Sequence, residues 1–122
     1  MPQDPNEIAE IEIVIDNFVD GFNRGKVEIL MSSISPDYNK DGDTYSTMDY
    51  DMRDFFANFQ MKLELKDVKV TITDKGATAT ATFNSQAKSL LVGSSGQKSG
   101  KITFRLSDAT GQWRITRVDY PQ

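Results

Sequence analysis

Residues 52–72, MRDFFANFQMKLELKDVKVTI, contain a change in the spacing of apolar side chains near Met61. In residues 52–59, methionine and phenylalanine recur at the spacing of one helix face. In residues 68–72, valine and isoleucine alternate with polar residues, as on a strand with one buried face. This stretch therefore predicts a helix followed by a strand, and it divides the chain into a helical half and a β half.

The helical half begins with a helix-start pattern. Asp4 can cap the first helix, Pro5 suits its first turn, and Glu7 completes a variant of the capping box. Gly25 can adopt the left-handed conformation that commonly ends a helix. The apolar stripe between these ends comprises Ile8, Ile11, Ile15, Phe18, Val19 and Phe22.

Two further helices are predicted before Met61. A short second helix presents apolar residues from Val27 to Ile34 and ends at Pro36. A polar, turn-rich segment spans residues 37–47. The third helix is expected from about Met48 to Gln60, with Ser46 or Thr47 as its cap.

The β half reads as an antiparallel meander of four strands. Turn residues at 74–76, 93–96 and 107–111 separate stretches with a period of two. Helices followed by such strands predict an α+β fold, with residues 1–122 as a single domain. The small side chains of Ala77, Ala79 and Ala81 leave room beside the helices, either for aromatic side chains or for a cavity.

The composition excludes several kinds of chemistry. The chain has 122 residues, of which 38% are apolar and 26% charged, so it can bury a core without disulfides or metals. It has no cysteine and no histidine, which removes thiol catalysis, structural zinc, Ser-His-Asp triads and imidazole ligands. Acid–base chemistry would have to use carboxylates, tyrosines or lysines, and no cofactor is expected.

The charge argues against nucleic acid as a partner, since the net charge is −4 and the pI is about 4.7. Residues 1–61 have a balance of −9, whereas residues 62–122 have a balance of +5. The two halves can cancel each other within one domain, which is the interpretation we favour. Alternatively, oppositely charged faces help copies of the chain to associate.

No membrane partner is expected, because no apolar run approaches the length of a membrane-spanning helix. Residues 1–3 begin no signal-peptide core. Localisation stays open: it is cytoplasmic by default, or exported if a leader has been removed.

Two stretches of the chain resemble the nuclear transport factor 2-like (NTF2-like, SnoaL-like) superfamily. The first is FVDGFNRG at 18–25 followed by ISPDY at 34–38, and the second is ITFRL at 102–106 followed by GQWRITRV at 111–118. The resemblance implies a cone of helices packed on a curved antiparallel sheet, with a ligand cavity at its open end. It also implies a homodimer formed through the sheet. Some members are enzymes, and many only bind, scaffold or assemble.

The leading hypothesis is a non-catalytic domain that binds a small apolar or amphipathic ligand or serves as a dimeric association module. Aromatic side chains at the cone's open end are the expected contacts. Tyr38, Tyr45 and Tyr50 cluster where the resemblance places that opening, and they either line its mouth or cap the core with their hydroxyls in water, which is the interpretation we favour. The candidate pocket residues are Phe18, Phe22, Tyr50, Phe55, Phe59, Phe83, Phe104 and Trp113.

An enzyme is the alternative. The resemblance to the ketosteroid isomerases places their oxyanion-binding tyrosine at Phe18, which cannot donate a hydrogen bond. It places their base near Gly42, between Asp41 and Asp43. A histidine-free isomerase or lyase would therefore use Asp41 or Asp43 with a tyrosine such as Tyr45.

A calcium loop is the third hypothesis. Asp37, Asn39, Asp41 and Asp43 match the opening of a calcium-binding loop, with Gly42 at its turn. The twelfth position is Met48, where such loops require a bidentate glutamate. The competing interpretation is a solvated acidic turn.

Overall fold

The structure, a computed structural model, describes residues 5–120. The helices are α1 (Pro5–Arg24), α2 (Val27–Ser32) and α3 (Tyr45–Asn58). The strands are β1 (Asn39–Lys40), β2 (Asp43–Thr44), β3 (Phe59–Thr73), β4 (Gly76–Ser89), β5 (Ser95–Ser107) and β6 (Arg114–Asp119). The predicted cap Asp4 lies outside the described residues. None of the helices within residues 5–120 is long and apolar enough to cross a membrane.

The four long strands form one antiparallel sheet in the order β3-β4-β5-β6, which confirms the predicted meander. Irregularities interrupt the register of β3 between Lys66 and Lys69, and of β5 against β6 between Arg105 and Leu106. Asp67, within the first of these, has a positive φ of 55°. Such bulges bend strands and increase their twist, so they help the sheet to curve around the helices.

The core lies between α1 and the inner face of the sheet. Phe18 on α1 meets Phe104 on β5 edge to face, with 5.3 Å between ring centroids. Ala79 on β4 pairs with Phe104 in register, and both side chains are fully buried. The alanine-lined part of β4 is therefore covered by α1 and filled by aromatic and aliphatic side chains, and the predicted α+β cone is confirmed.

Asn23 holds the end of α1 against the edge strand β3. Its Nδ2 donates to the Leu63 carbonyl at 3.1 Å, while the Leu63 N–H donates to its Oδ1 at 2.6 Å. The asparagine side chain thus makes the pair of hydrogen bonds with β3 that the backbone of a neighbouring strand would make. It satisfies backbone groups at a sheet edge that would otherwise be open.

Several predicted boundaries were wrong. Helix α3 begins at Tyr45 instead of Met48, because Thr44 caps it by accepting from the Thr47 N–H at 3.5 Å. It ends at Asn58, and Phe59 opens β3 because that residue already pairs with Ser89. The second helix stops at Ser32, and Ile34 instead bridges Ile115 on β6.

Candidate functional site

A cavity of about 740 Å³ opens at the end of the cone away from the packed alanines. Its walls come from α1, α3 and the ends of β3, β4 and β5 nearest the β4–β5 turn. The hairpin β1–β2 and the residues around the end of β6 form its mouth. The space therefore lies between the sheet and the helices α1 and α3.

Phenylalanine and methionine side chains supply much of the apolar part of the cavity wall. The tilted rings of Phe18 and Phe22 on α1 have 5.0 Å between their centroids, and Phe22 meets Phe56 of α3 at 5.7 Å. Methionine side chains are flexible and polarizable, so they adapt to irregular apolar shapes. The other large apolar side chains of the wall include Met48, Met52, Phe55, Met61, Leu63 and Phe83.

Four of the eight predicted pocket residues line the cavity: Phe18, Phe22, Phe55 and Phe83. The other four lie elsewhere. Phe104 and Trp113 are buried in the core, Phe59 stacks on Phe55 with 4.8 Å between ring centroids, and Tyr50 is 75% exposed on α3. The pattern of apolar residues did not separate side chains that fill the core from those that face empty space.

The mouth is polar and contains two tyrosines. Tyr38 is buried, and this burial raises the pKa of its hydroxyl, although a backbone hydrogen bond with Val118 opposes the shift. Tyr120 is half exposed, and Lys40 Nζ lies over its ring at 4.5 Å from the centroid. Lys98 Nζ lies over the same ring at 5.8 Å.

An ion-pair network fastens the hairpin β1–β2 to β6. The Arg117 Nε lies 3.0 Å from both carboxylate oxygens of Asp119, and its Nη atoms lie 3.4 Å from the two oxygens of Asp41. Hydrogen bonding from Arg117 lowers the pKa of Asp119. The Asp41 side chain is 77% exposed, so solvent screens its part of the network.

The candidate catalytic residues do not share an apolar environment. Asp41 and Asp43 both line the mouth and are exposed. Tyr45 is half-buried at the start of α3, where it packs against the core. Phe18 occupies the place that resemblance assigns to the isomerase tyrosine, and its ring packs on Phe22 and Phe104.

The predicted metal loop forms a tight hairpin. Asp41 and Gly42 are at its tip with positive φ angles of 54° and 100°, and the Gly42 N–H donates to Asn39 Oδ1 at 3.0 Å. The Asn39 oxygen and the Asp41 carboxylate are thus engaged within the protein. Asp37 precedes the hairpin and Asp43 lies on its second strand. Within residues 5–120, no group of three or more Asp, Glu, His or Cys side chains is close enough to hold a metal ion.

The sequence interpretation missed several residues of the site. Met48, Met52 and Met61 are half-buried and line the cavity, although they were not among the candidate pocket residues. Lys98 could have been found, because it lies four residues before Ile102 and shares its strand face by the period of two. Lys40 and Tyr120 could not, since their positions depend on how distant segments meet.

Solved structures with the same fold share little sequence with the chain. A protein described as a candidate dehydratase of the NTF2-like family, from Streptomyces avermitilis, is 17% identical with a TM-score of 0.76, covering 93% of each chain. A ketosteroid isomerase-like protein from Erwinia carotovora atroseptica is 19% identical with a TM-score of 0.75, covering 94% of this chain and 95% of its own.

A third structure carries a different description. It is a candidate calcium/calmodulin-dependent protein kinase II association domain from Xanthomonas campestris, 14% identical with a TM-score of 0.71, covering 96% of this chain and 89% of its own. At such identities the three likenesses show the NTF2-like fold alone. None of the curated proteins matches the chain significantly.

One family model matches most of the sequence. It describes the C-terminal domain of anti-sigma-I factor RsgI9, and it aligns with residues 13–120, from near the middle of α1 to the end of the sheet. That span includes every segment that lines the cavity. The chain therefore belongs to the family of RsgI9 C-terminal domains and has the NTF2-like fold.

Proposed function

We propose that the chain is a non-catalytic binding domain whose cavity takes up a small apolar or amphipathic molecule. The observation that carries this proposal is the cavity of about 740 Å³ with its wall of phenylalanine and methionine side chains. Ligand sites typically span about 300–1,000 Å³ and combine apolar walls with a few polar groups. Both features are present here.

The electrostatics of the mouth favour binding over catalysis. A carboxylate acting as a general base near neutral pH usually has its pKa raised by apolar surroundings. Asp41 and Asp43 are exposed, and Asp41 is held by Arg117. Neither carboxylate therefore has the apolar surroundings that such a general base uses.

The family supplies a context for such binding. It is named for the C-terminal domain of an anti-sigma-I factor. A domain that binds a small molecule would give a regulator of that kind a means of responding to the molecule's presence.

The proposal is tested by blocking the cavity from its β4 wall. Ala87 is half-buried and lines the cavity, so Ala87→Trp should fill part of it. Binding of the neutral dye nile red, measured by fluorescence, should weaken by about tenfold or more as apolar contact surface is lost. Circular dichroism should confirm that the variant is folded.

Gln86→Trp is the matched control, because the neighbouring side chain is exposed on the opposite face of the strand. It should bind the dye as the unaltered chain does. Equal dye binding by Ala87→Trp and the unaltered chain, or no binding by either, would contradict the proposal.

A dimeric association module is the second candidate function, supported by the fold neighbour described as an association domain. The outer face of the sheet offers Thr80, Thr82 and Lys101, all exposed, as a broad polar surface. Light scattering at high micromolar concentration should give twice the mass of one chain. A monomeric mass there would argue against this candidate.

A further inference from the structure

Two lysines at the cavity mouth lie over the same aromatic ring. Lys40 comes from β1, Lys98 from β5, and Tyr120 directly follows β6. The two Nζ atoms lie 4.5 Å and 5.8 Å from the centroid of the Tyr120 ring. Three segments that are distant in sequence therefore bring two positive charges to one aromatic ring that lines the cavity.

Neither ammonium group forms an ion pair with a carboxylate of the described residues, although the charge of Lys40 acts on Asp119 from a greater distance. Within the part of the chain that the structure describes, no carboxylate oxygen lies within 4.0 Å of either Nζ. Lys40 faces Asp43 in register across the β1–β2 hairpin, yet its Nζ lies over Tyr120. Asp41, the other nearby acid on that hairpin, is paired with Arg117. The two lysines are thus available to an anion from outside the chain.

The mouth also supplies an uncharged donor. Tyr38 is buried beside the same opening, where Tyr120 and Asp43 are among the groups that act on it electrostatically. Its burial favours the protonated hydroxyl. A protonated phenol can donate a hydrogen bond to an oxygen acceptor, and charge-assisted hydrogen bonds to anions are the stronger kind.

The cavity lining also includes acidic side chains, which would favour a cationic ligand over an anionic one. Asp43 and Asp51 also line the cavity and have no ion-pair partner among the described residues. Asp43 comes from β2 and Asp51 from α3. Lys40 and Lys98, in contrast, both contact the ring of Tyr120. A cationic head group would use these acids, and an anionic one the lysines, so ligand charge distinguishes the two arrangements.

We propose that the cavity binds an amphipathic carboxylate, a medium-chain fatty acid anion in its simplest form. The alkyl tail lies among Phe22, Phe55 and Met52, and the carboxylate lies between Lys40 and Lys98. This inference rests on the proposed function, because it specifies the ligand of the same cavity.

The test compares three head groups on one tail. Nile red bound to the chain is displaced with dodecanoate, dodecanol or dodecyltrimethylammonium, each below its micelle-forming concentration. Dodecanoate should bind about fivefold more tightly than dodecanol, which is the size expected for two exposed ion pairs. Added salt should reduce that preference, because it screens exposed charges.

The lysines are tested by neutral substitution. The double variant Lys40→Gln with Lys98→Gln should lose the preference, so that dodecanoate and dodecanol bind it with similar affinity. Lys101→Gln is the control, since Lys101 is exposed on β5 and does not line the cavity. It should keep the full preference.

The possible outcomes distinguish failure of the anion inference from failure of the proposed binding function. Equal binding of dodecanoate and dodecanol, tightest binding of the trimethylammonium compound, or an unchanged preference in the double variant would overturn the anion inference and leave the binding function standing. Failure of nile red and of all three amphiphiles to bind would overturn both.

Discussion

Gly21 determines how closely α1 and α2 approach each other. A Cβ added to it would lie 2.5 Å from the Leu30 backbone nitrogen and 2.7 Å from the Leu30 Cα. Backbone atoms inside a helix cannot move aside without shifting the whole element. The position therefore requires a residue with no side chain, for reasons of space and not of backbone conformation.

We expect Gly21→Ala to destabilise the protein. Overpacking costs about 1–3 kcal/mol of stability, and we expect the upper end of that range because the added Cβ would meet backbone atoms. This loss exceeds the ~1 kcal/mol by which alanine stabilises a helix relative to glycine. Urea denaturation measures the difference. Gly96→Ala is the control, since an added Cβ there meets nothing within 4 Å. Equal stability of the two variants would contradict this account of the packing.

Tyr38 links the stability of the fold to alkaline pH. Burial raises the pKa of its hydroxyl above the ordinary value, with smaller contributions from the charges of Tyr120, Asp43 and Asp119. The folded chain then holds the proton at a pH where the unfolded chain has released it. Stability should consequently fall as the pH rises through about 10, the ordinary pKa of tyrosine.

Tyr38→Phe should flatten that alkaline decline, because the ionisable group is gone. The measurement is the free energy of unfolding in urea at several values between about pH 8 and pH 11. Tyr50→Phe, which alters an exposed tyrosine on α3, should decline as the unaltered chain does. If Tyr38→Phe kept the full slope, another group would have to cause it.

At the scale of the elements, the hairpin β1–β2 is joined to a distant segment of the chain by an ion pair. It has two residues in each strand, and a hairpin of that size is not stable alone. Arg117 on β6 reaches both oxygens of Asp41 at its tip. This tether holds one rim of the cavity in place.

Arg117→Gln should loosen the hairpin while changing the global melting temperature little, because exposed ion pairs contribute little to stability. Hydrogen exchange of the hairpin amides should become faster relative to those of β4. Arg105→Gln, at the register partner of Arg117 on β5, is the control and should leave the exchange unchanged. Unchanged exchange in Arg117→Gln would show that the hairpin is held by other contacts.

Element types were predictable from the sequence, and the exact ends less so. The change of period at residues 52–72 located the transition from helix to sheet because burial of one face imposes its period on the sequence. It misplaced Phe59, whose helical spacing was overridden by pairing with Ser89 across the sheet. The hydrogen bonds between Asn23 and Leu63 were likewise not predictable from local patterns, since the two residues are 40 positions apart.

At the scale of the whole molecule, the fold was predictable and the site only in part. Phe18 and Phe104 carry the same apolar signature in the sequence, yet the first lines the cavity and the second is enclosed in the core. Which of them lines the cavity depends on how α1, α3 and the sheet pack around it. Local patterns do not encode that arrangement, because it results from the packing of all the layers together.

Helix α3 has a further consequence for the whole molecule. None of its side chains is fully buried, although Met52, Phe55 and Phe56 face inward. The helix thus leaves part of its inward apolar surface exposed to the cavity. A ligand bound in the cavity would cover this apolar surface of α3. The helix would therefore become more rigid as the fraction of protein molecules with bound ligand rises.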